Sequence, residues 1–545
     1  MFGAGGGTSS YREIEDADVI VLWGSNAREA HPIFFHHVLA GLRKGASMYV
    51  VDPRRTASAA FADVWLGLDV GSDIALANGV AREIIAAGLV DREFIDAATD
   101  GFDELVTAVE PWTLDRTASI TGLPQLQIRD FAHAIGGARR LQLCWTLGIT
   151  EHITAVDNVF ALINLALLTG NVGRWGSGLV PLRGQNNVQG GGDMGAIPAR
   201  LPGFADLTDA SERAPFERMW QAAVPSRPGL HLSQMFEAMH SGSLRALWVI
   251  GENPADSEAD GEHARAALGA LDILVVQDLY LTRTAAMADV VFPAAAGWAE
   301  TDGTVTNSER RVQRVRAAVA PPGQARDDLA IVFDLAAAFG HDWGAPNAET
   351  VWNEVRSLSR NHAGMSYQRL DTLGGLQWPC LDDDDLGAPF LHGRLWARPI
   401  EGPRAPLQCV EWQPPADALD EHFPLRLTTG RVLDGYNTGV QTARFPSPIR
   451  SGATLDLAAA TAMRYAVDDG EVVRVVSRRG AIPMTVRIVE SLPPDLAFTT
   501  FHFPEIADVN RLTADAWDPK SGTAEFKATA IRLESIDADT QGGRA

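Results

Sequence analysis

Residues 17–22 read ADVIVL and end in Trp23-Gly24-Ser25-Asn26. A short, almost unbroken apolar run closed by such a turn reads as a parallel strand buried on both faces. The pattern recurs. A helix is expected over residues 32–43, stopped by Gly45, then a strand at 48–51 ending in Asp52-Pro53-Arg54. A third strand at 64–68 precedes Gly71-Ser72-Asp73 and a helix to about residue 87. Residues 141–147 and a helix over 154–168 continue the alternation. This is the sequence of a doubly wound α/β domain. A second set follows, with strands at 244–250, 273–277 and 290–292. Residues 375–422 are irregular, rich in proline and carrying the acidic run Asp382 to Asp385. From Leu425 onward short β-type runs dominate and predict a compact barrel.

The ends of these strands carry the chemistry, because open α/β sheets bind ligands beyond the carboxyl ends of their strands. Asp52 stands where dinucleotide folds place an acid on ribose hydroxyls, although the same residue also suits a turn before proline. WGSN replaces GxGxxG after the first strand, which argues against an ordinary NAD site; Asn26 and the amides after Gly24 can still meet a pyrophosphate. The segment RGQNNVQGGGDMG (residues 183–195) holds five glycines in thirteen residues, too many for a helix or strand interior. It reads as a ligand loop whose end, residues 194–198, can be buried. Arg183 can clamp a small carboxylate with two parallel bonds, or hold a phosphate or a backbone carbonyl.

At 545 residues several domains are expected. A net charge of −23 disfavours a nucleic-acid binder. No run of about 18 apolar residues suggests a membrane span. No secretory signal is visible; the location is expected to be cytoplasmic, with an export signal on a missing N-terminal part left open. The three cysteines, Cys144, Cys380 and Cys409, are far apart, so the chain alone carries neither a disulfide framework nor a four-cysteine cluster. Cys144 reads as a small buried apolar residue.

The loop at 183–195 resembles the substrate-side loop of molybdopterin-dependent formate dehydrogenases, of the dimethyl-sulfoxide-reductase superfamily. GITEHITAVDN (148–158), LLTGNVGRWGSG (167–178), the stretch 288–315 with ETDG and SERR, GGLQWPC (374–380), TTGR (428–431), NRLT (510–513) and DPKSGTAEFK (518–527) are similar to the same family, in its order. The resemblance implies two doubly wound α/β domains and a C-terminal barrel of the double-psi type. The expected divisions are 1–185, 186–300, a cluster-side remnant and crossing segment at 301–424, and 425–545. It implies two molybdopterin guanine dinucleotides with molybdenum or tungsten. One nucleotide would meet Gly24, Asn26, Asp52, Arg54, Gly71 and Asp73. The other would meet Gly148, Glu151, Gly251, Asn253, Asp278 and the turn Thr301-Asp302-Gly303. Thr429, Gly430, Arg431, Thr438, Gly439, Asn510 and Lys527 would reach the pterins. Gln185 and Asn186 would line the loop, and Arg183 would seat formate for oxidation to carbon dioxide. Singly, ETDG reads as a turn and Arg310-Arg311 as a solvated basic face.

The resemblance also implies parts that this sequence does not carry. They are a four-iron cluster on four cysteines, and a Cys or selenocysteine followed by His as metal ligand. Neither His36, His37 nor Cys144 matches that ligand. Residues 2–10 are like the Gly-rich stretch that follows it. A fragment or misplaced start, a split enzyme completed by a partner subunit, and a non-catalytic homologue are all open. The first is favoured, and the isolated chain is then expected to be inactive. Electrons would pass to iron–sulfur or NAD-reducing subunits. Where many relatives carry His, Asn437 cannot titrate near neutral pH, which touches the proton path there. A nitrate reductase, another oxidoreductase of the superfamily or a non-catalytic pterin-binding subunit is the alternative.

Overall fold

The structure, a computed structural model, describes residues 2, 5–445 and 452–536. Gly3 and Ala4 of the Gly-rich opening lie outside the described residues. Five parallel strands form the first sheet: β1 (Val19–Trp23), β2 (Ser47–Val51), β3 (Val64–Leu66), β4 (Leu141–Trp145) and β5 (Gly178–Pro181), in the order β3-β2-β1-β4-β5. The period of two sorts their side chains to opposite faces. Val19, Val21, Trp23, Leu141 and Leu143 enter one core with α1 (Asp73–Ala86) and α2 (Ala155–Leu168). Ile20, Leu22, Met48, Val50 and Cys144 enter the other, with Phe34, Phe35 and Val38 of the helix Pro32–Arg43. Both faces are covered, which is why the strands read as unbroken apolar runs. The expected strands at 64–68 and 141–147 are shorter than the apolar runs suggest. Chain past Leu66 turns toward α1, and Leu147 opens a separate helical turn, Leu147–Thr150.

The second α/β unit holds three parallel strands, β6 (Ala246–Ile250), β7 (Ile273–Asp278) and β8 (Val290–Pro293), with β7 in the middle. An antiparallel ribbon follows, β9 (Gly303–Thr306) and β10 (Arg311–Val315). The last six strands close a barrel in the order β11-β15-β12-β14-β13-β16. They are β11 (Leu425–Thr429), β12 (Thr454–Leu457), β13 (Val472–Val476), β14 (Ala481–Ile488), β15 (Leu496–Thr499) and β16 (Thr529–Ser535). Closure leaves no free edge. Its interior is filled by Leu425, Leu427, Leu455, Val473, Val475 and Ile531.

Three sequence expectations are corrected. Residues 188–193 are helical despite three glycines (α3, Val188–Asp193). Asn187, left-handed at φ 64°, starts the turn, and Gln189 Nε2 donates to Asp193 Oδ1 at 2.7 Å, an i, i+4 bond along the helix. The loop's end is not buried either: Ile197 is 40 % exposed. Arg310 is not on a solvated face. It is fully buried and donates to the carbonyls of Gly7 (2.7 Å), Ala388 (3.0 Å), Pro389 (2.9 Å) and Trp378. One guanidinium thus ties the start of the chain to the crossing segment. Cys144 is buried, as a small apolar residue should be.

Glu13 is a second buried ion in this region. Its carboxylate accepts from Ser10 N (2.7 Å), Ser10 Oγ (2.9 Å) and Gly176 N (3.1 Å). Burial outweighs these bonds and pushes its pKa up to about 7. A carboxyl whose pKa is raised by folding binds its proton more tightly folded than unfolded. Its contribution is therefore present at acid pH and lost as pH rises from about 4.5 towards 7. Glu13→Gln removes that dependence. Its stability deficit relative to the parent should shrink by up to about 3 kcal/mol between pH 5 and pH 8. Urea midpoints at the two pH values check this; a constant deficit refutes it.

Candidate functional site

The order of the first sheet reverses between β1 and β4, so the chain leaves their carboxyl ends in opposite directions and opens a crevice. A cleft of about 1010 Å³ lies there. Gly24 and Asn26 follow β1, Asp52 and Arg54 follow β2, Asp69, Gly71 and Asp73 follow β3, and Thr146 and Gly148 follow β4. The barrel supplies the opposite wall through Thr429, Gly430, Arg431, Asn437 and Lys527.

The crest of the cleft depends on two glycines. Gly24 is left-handed at φ 57°, and a Cβ on Gly148 would lie 2.3 Å from the Gly24 carbonyl oxygen. The two strand-end turns touch backbone to backbone, which any side chain would prevent. Asp73 starts α1 and accepts from Trp23 Nε1 at 2.8 Å. Asp52 accepts the Arg54 amide at 2.9 Å. Burial raises both carboxyls; nearby Arg54 opposes it at Asp52 and His152 at Asp73. The cations face them. Arg54 lies 3.7 Å over the Phe498 ring, and Lys527 pairs with Glu151 at 2.7 Å while donating to Thr429 O at 3.1 Å. Arg431 lies 4.8 Å over the Tyr436 ring, with its buried Nε unpartnered.

This donor set fits a pterin dinucleotide. It combines a close backbone approach, carboxylates for ribose and guanine donors, three cations for phosphates, and a buried polar atom without a partner, Arg431 Nε. His31 belongs with them and escaped sequence reasoning. Its Nε2 lies 2.6 Å from the Arg183 carbonyl, so it donates and Nδ1 is the bare nitrogen, buried and unpartnered. Burial lowers its pKa and keeps the ring neutral. No motif marked His31, Thr146 or Phe498.

The remaining candidates lie elsewhere. Gly251 follows β6 and Asp278 ends its neighbour β7. Asn253 bonds Asp256 at 2.7 Å, and Asn510 donates to the Asp256 carbonyl at 2.8 Å, joining this unit to the barrel. Burial raises Asp278. Thr301, Asp302 and Gly303 sit where the ribbon begins, Asp302 accepting from Ala317 N at 3.4 Å. None of these seven lines the main cleft, whereas Gly148, expected at the second nucleotide, does. Gly439, at φ 75°, abuts the His502 carbonyl, and Thr438 precedes it on the turn beside Asn437. Gln185 and Asn186 are exposed.

Arg183 stands between two clefts. Its neighbour Gly184 lines the main one, and its guanidinium turns towards a second, of about 920 Å³, lined by Gly5, Asp193, Phe204, His362 and Trp378. Nη2 donates to Gly5 O (2.8 Å) and Nε to Gln189 Oε1 (3.1 Å). Nη1 makes no hydrogen bond among the described residues. Asp193 is buried and accepts from Gln189 and from Trp378 Nε1 (2.7 Å), and burial pushes its pKa up to about 6. Among the described residues no cluster of three or more His, Cys, Asp or Glu could hold a metal ion, and no helix is long and apolar enough to cross a membrane.

Residues 4–338 match the molybdopterin oxidoreductase family, and residues 425–530 match the molydopterin dinucleotide binding domain. The chain is 41 % identical over 542 residues to the alpha subunit of a formate dehydrogenase from Methanococcus maripaludis, covering 98 % of this chain and 79 % of that one. It is 32 % identical over 549 residues to the catalytic subunit of the assimilatory nitrate reductase of Bacillus subtilis, covering 98 % and 77 %. Acetylene hydratase from Pelobacter acetylenicus shares the fold, with a TM-score of 0.74 at 19 % identity over 97 % of this chain and 79 % of that one. With its strand-end cleft closed by a dinucleotide-binding barrel, the chain belongs to the molybdopterin oxidoreductase family.

Proposed function

We infer that the chain is the catalytic subunit of a formate dehydrogenase, oxidising formate to carbon dioxide, a proton and two electrons. The observation that carries this reading is Arg183. Its guanidinium is anchored on one side by Gly5 and Gln189, its Nη1 makes no hydrogen bond among the described residues, and its neighbour Gly184 lines the cleft suited to a pterin dinucleotide. An anchored guanidinium with a free edge binds a one-carbon carboxylate and fixes the direction of its C–H bond. Higher identity to a formate dehydrogenase subunit than to a nitrate reductase supports the substrate.

Two pterin guanine dinucleotides carrying molybdenum or tungsten would supply the two-electron acceptor chemistry. Asp52, Asp73, Arg54, Lys527 and Arg431 would hold one of them along the main cleft. Gly251, Asn253, Asp278, Thr301, Asp302, Gly303 and Asn510 are proposed for the second, and Thr438 and Gly439 for the barrel's contact with the pterins. Gln185 and Asn186, on the exposed loop, would close over the substrate. His31, neutral with a bare Nδ1, can accept a proton beside Arg183. Electrons would leave through a four-iron cluster and partner subunits. The test is catalytic: the complex purified from its own cells should reduce a viologen dye with formate and not oxidise reduced dye with nitrate. Activity with nitrate alone would replace this reading with the other.

A further inference from the structure

The second cleft places a second layer of residues behind Arg183. Four side chains form a chain of bonds with fixed polarity. Trp378 Nε1 can only donate, and it donates to Asp193 Oδ2 at 2.7 Å. Gln189 Nε2 donates to Asp193 Oδ1 at 2.7 Å and to Gly5 O at 3.1 Å. That leaves Gln189 Oε1 as the acceptor for Arg183 Nε at 3.1 Å. An amide can face either way; the Asp193 carboxylate and the Gly5 carbonyl, which only accept, and Arg183 Nε, which only donates, hold it in this sense. Gln189 and Asp193 are both 2 % exposed, so no water relieves a reversed amide. The two residues sit one turn apart on α3, which explains why the chain spends a helix on so glycine-rich a stretch.

Resting on the reading of Arg183 as the formate clamp, we propose that Asp193 is a positioning residue. It fixes the Gln189 amide so that Gln189 holds the Arg183 guanidinium with its Nη1 edge presented to the carboxylate. Trp378 anchors Asp193 from the crossing segment, so the substrate residue is held by an element nearly two hundred residues away in sequence.

Polarity gives a test that a merely structural role would not pass. In Asp193→Asn two N–H donors converge on a side chain with one acceptor. Turning the Gln189 amide is opposed by the Gly5 carbonyl and Arg183 Nε, so either Gln189 or Trp378 loses its acceptor and the hold of Gln189 on Arg183 loosens. In the double variant Asp193→Asn with Gln189→Glu the order is restored. Glu accepts from Arg183 and from the new amide, and that amide's oxygen accepts from Trp378. The bond from Gln189 to Gly5 O is replaced by a carboxylate oxygen facing that carbonyl, so recovery is partial. The measurement is formate affinity of the loaded complex by anaerobic calorimetry without an electron acceptor, alongside KM and kcat.

Asp193→Asn should weaken formate binding roughly ten-fold, as loss of one hydrogen bond to a charged group does, with KM changing more than kcat. The double variant should regain most of it. Should Asp193→Asn fail to fold, Trp378→Phe removes one anchor and should weaken binding by a factor of about three, a smaller part of the same bond energy. Unchanged affinity in Asp193→Asn, or no recovery in the double variant, overturns the inference. Arg183→Lys is run in parallel: if it too leaves formate affinity unchanged, the reading of Arg183 itself fails.

Discussion

Arg183→Lys should raise the KM for formate by a factor of about 10 to 100, equivalent to one charge-assisted hydrogen bond of roughly 1.5–3 kcal/mol. Lysine keeps the charge and loses the fork. Its ammonium cannot bond Gly5 O and Gln189 Oε1 while still offering two parallel donors to a carboxylate. Arg183→Ala should cost more, about 2–5 kcal/mol in kcat/KM, because the substrate's charge then enters a partly buried site without a counter-ion. The fold should tolerate both changes, since the Arg183 amide, bonded to Ser308 Oγ at 3.0 Å, and its carbonyl, bonded to His31, remain. Steady-state kinetics of the purified complexes give the answer. A KM within a factor of about two of the parent in both variants, well under one hydrogen bond's worth, would remove Arg183 from the substrate site.

The second large effect is expected at Gly148. Adding one methyl there places Cβ 2.3 Å from the Gly24 carbonyl oxygen, and both partners are backbone. The turns after β1 and β4 must separate, and they form the crest of the cleft. Gly148→Ala should therefore lose most of its bound guanine nucleotide, a fall of roughly ten-fold or more for about 1.4 kcal/mol of lost binding. Secondary structure should persist, because the cores on both faces of the sheet lie below the turns. Gly137→Ala is the control. A Cβ there meets nothing within 4 Å, so its nucleotide content should match the parent. Equal nucleotide in Gly148→Ala would mean that the ligand does not lie on this crest.

The strands of the first sheet were plain in the sequence because both faces of that sheet are covered and its central strands must be apolar throughout. Asp52 and Asp73 were legible for the same reason: a strand or helix end is visible as the point where the apolar run stops. What escaped depends on contacts between distant positions. The approach of Gly148 to Gly24 joins turns 124 residues apart in sequence, and Arg310 finds its carbonyls up to 303 residues away. Arg310 therefore looked like surface charge and is core. The helix over Val188–Asp193 escaped because glycine count outweighs local propensity, while the bond from Gln189 to Asp193 and the start at Asn187 are set by side chains. His31 carried no motif at all. Its place at the cleft follows from the bond to the Arg183 carbonyl, 152 residues on.

The central claim is that strand ends and barrel together hold a pterin guanine dinucleotide beside Arg183. The direct measurement is the guanine nucleotide released by acid from the complex purified from its own cells, together with its molybdenum and tungsten content. Two GMP per polypeptide with about one metal atom is the expected result, as a bis-dinucleotide cofactor requires. A folded, formate-oxidising complex that releases no guanine nucleotide would contradict it.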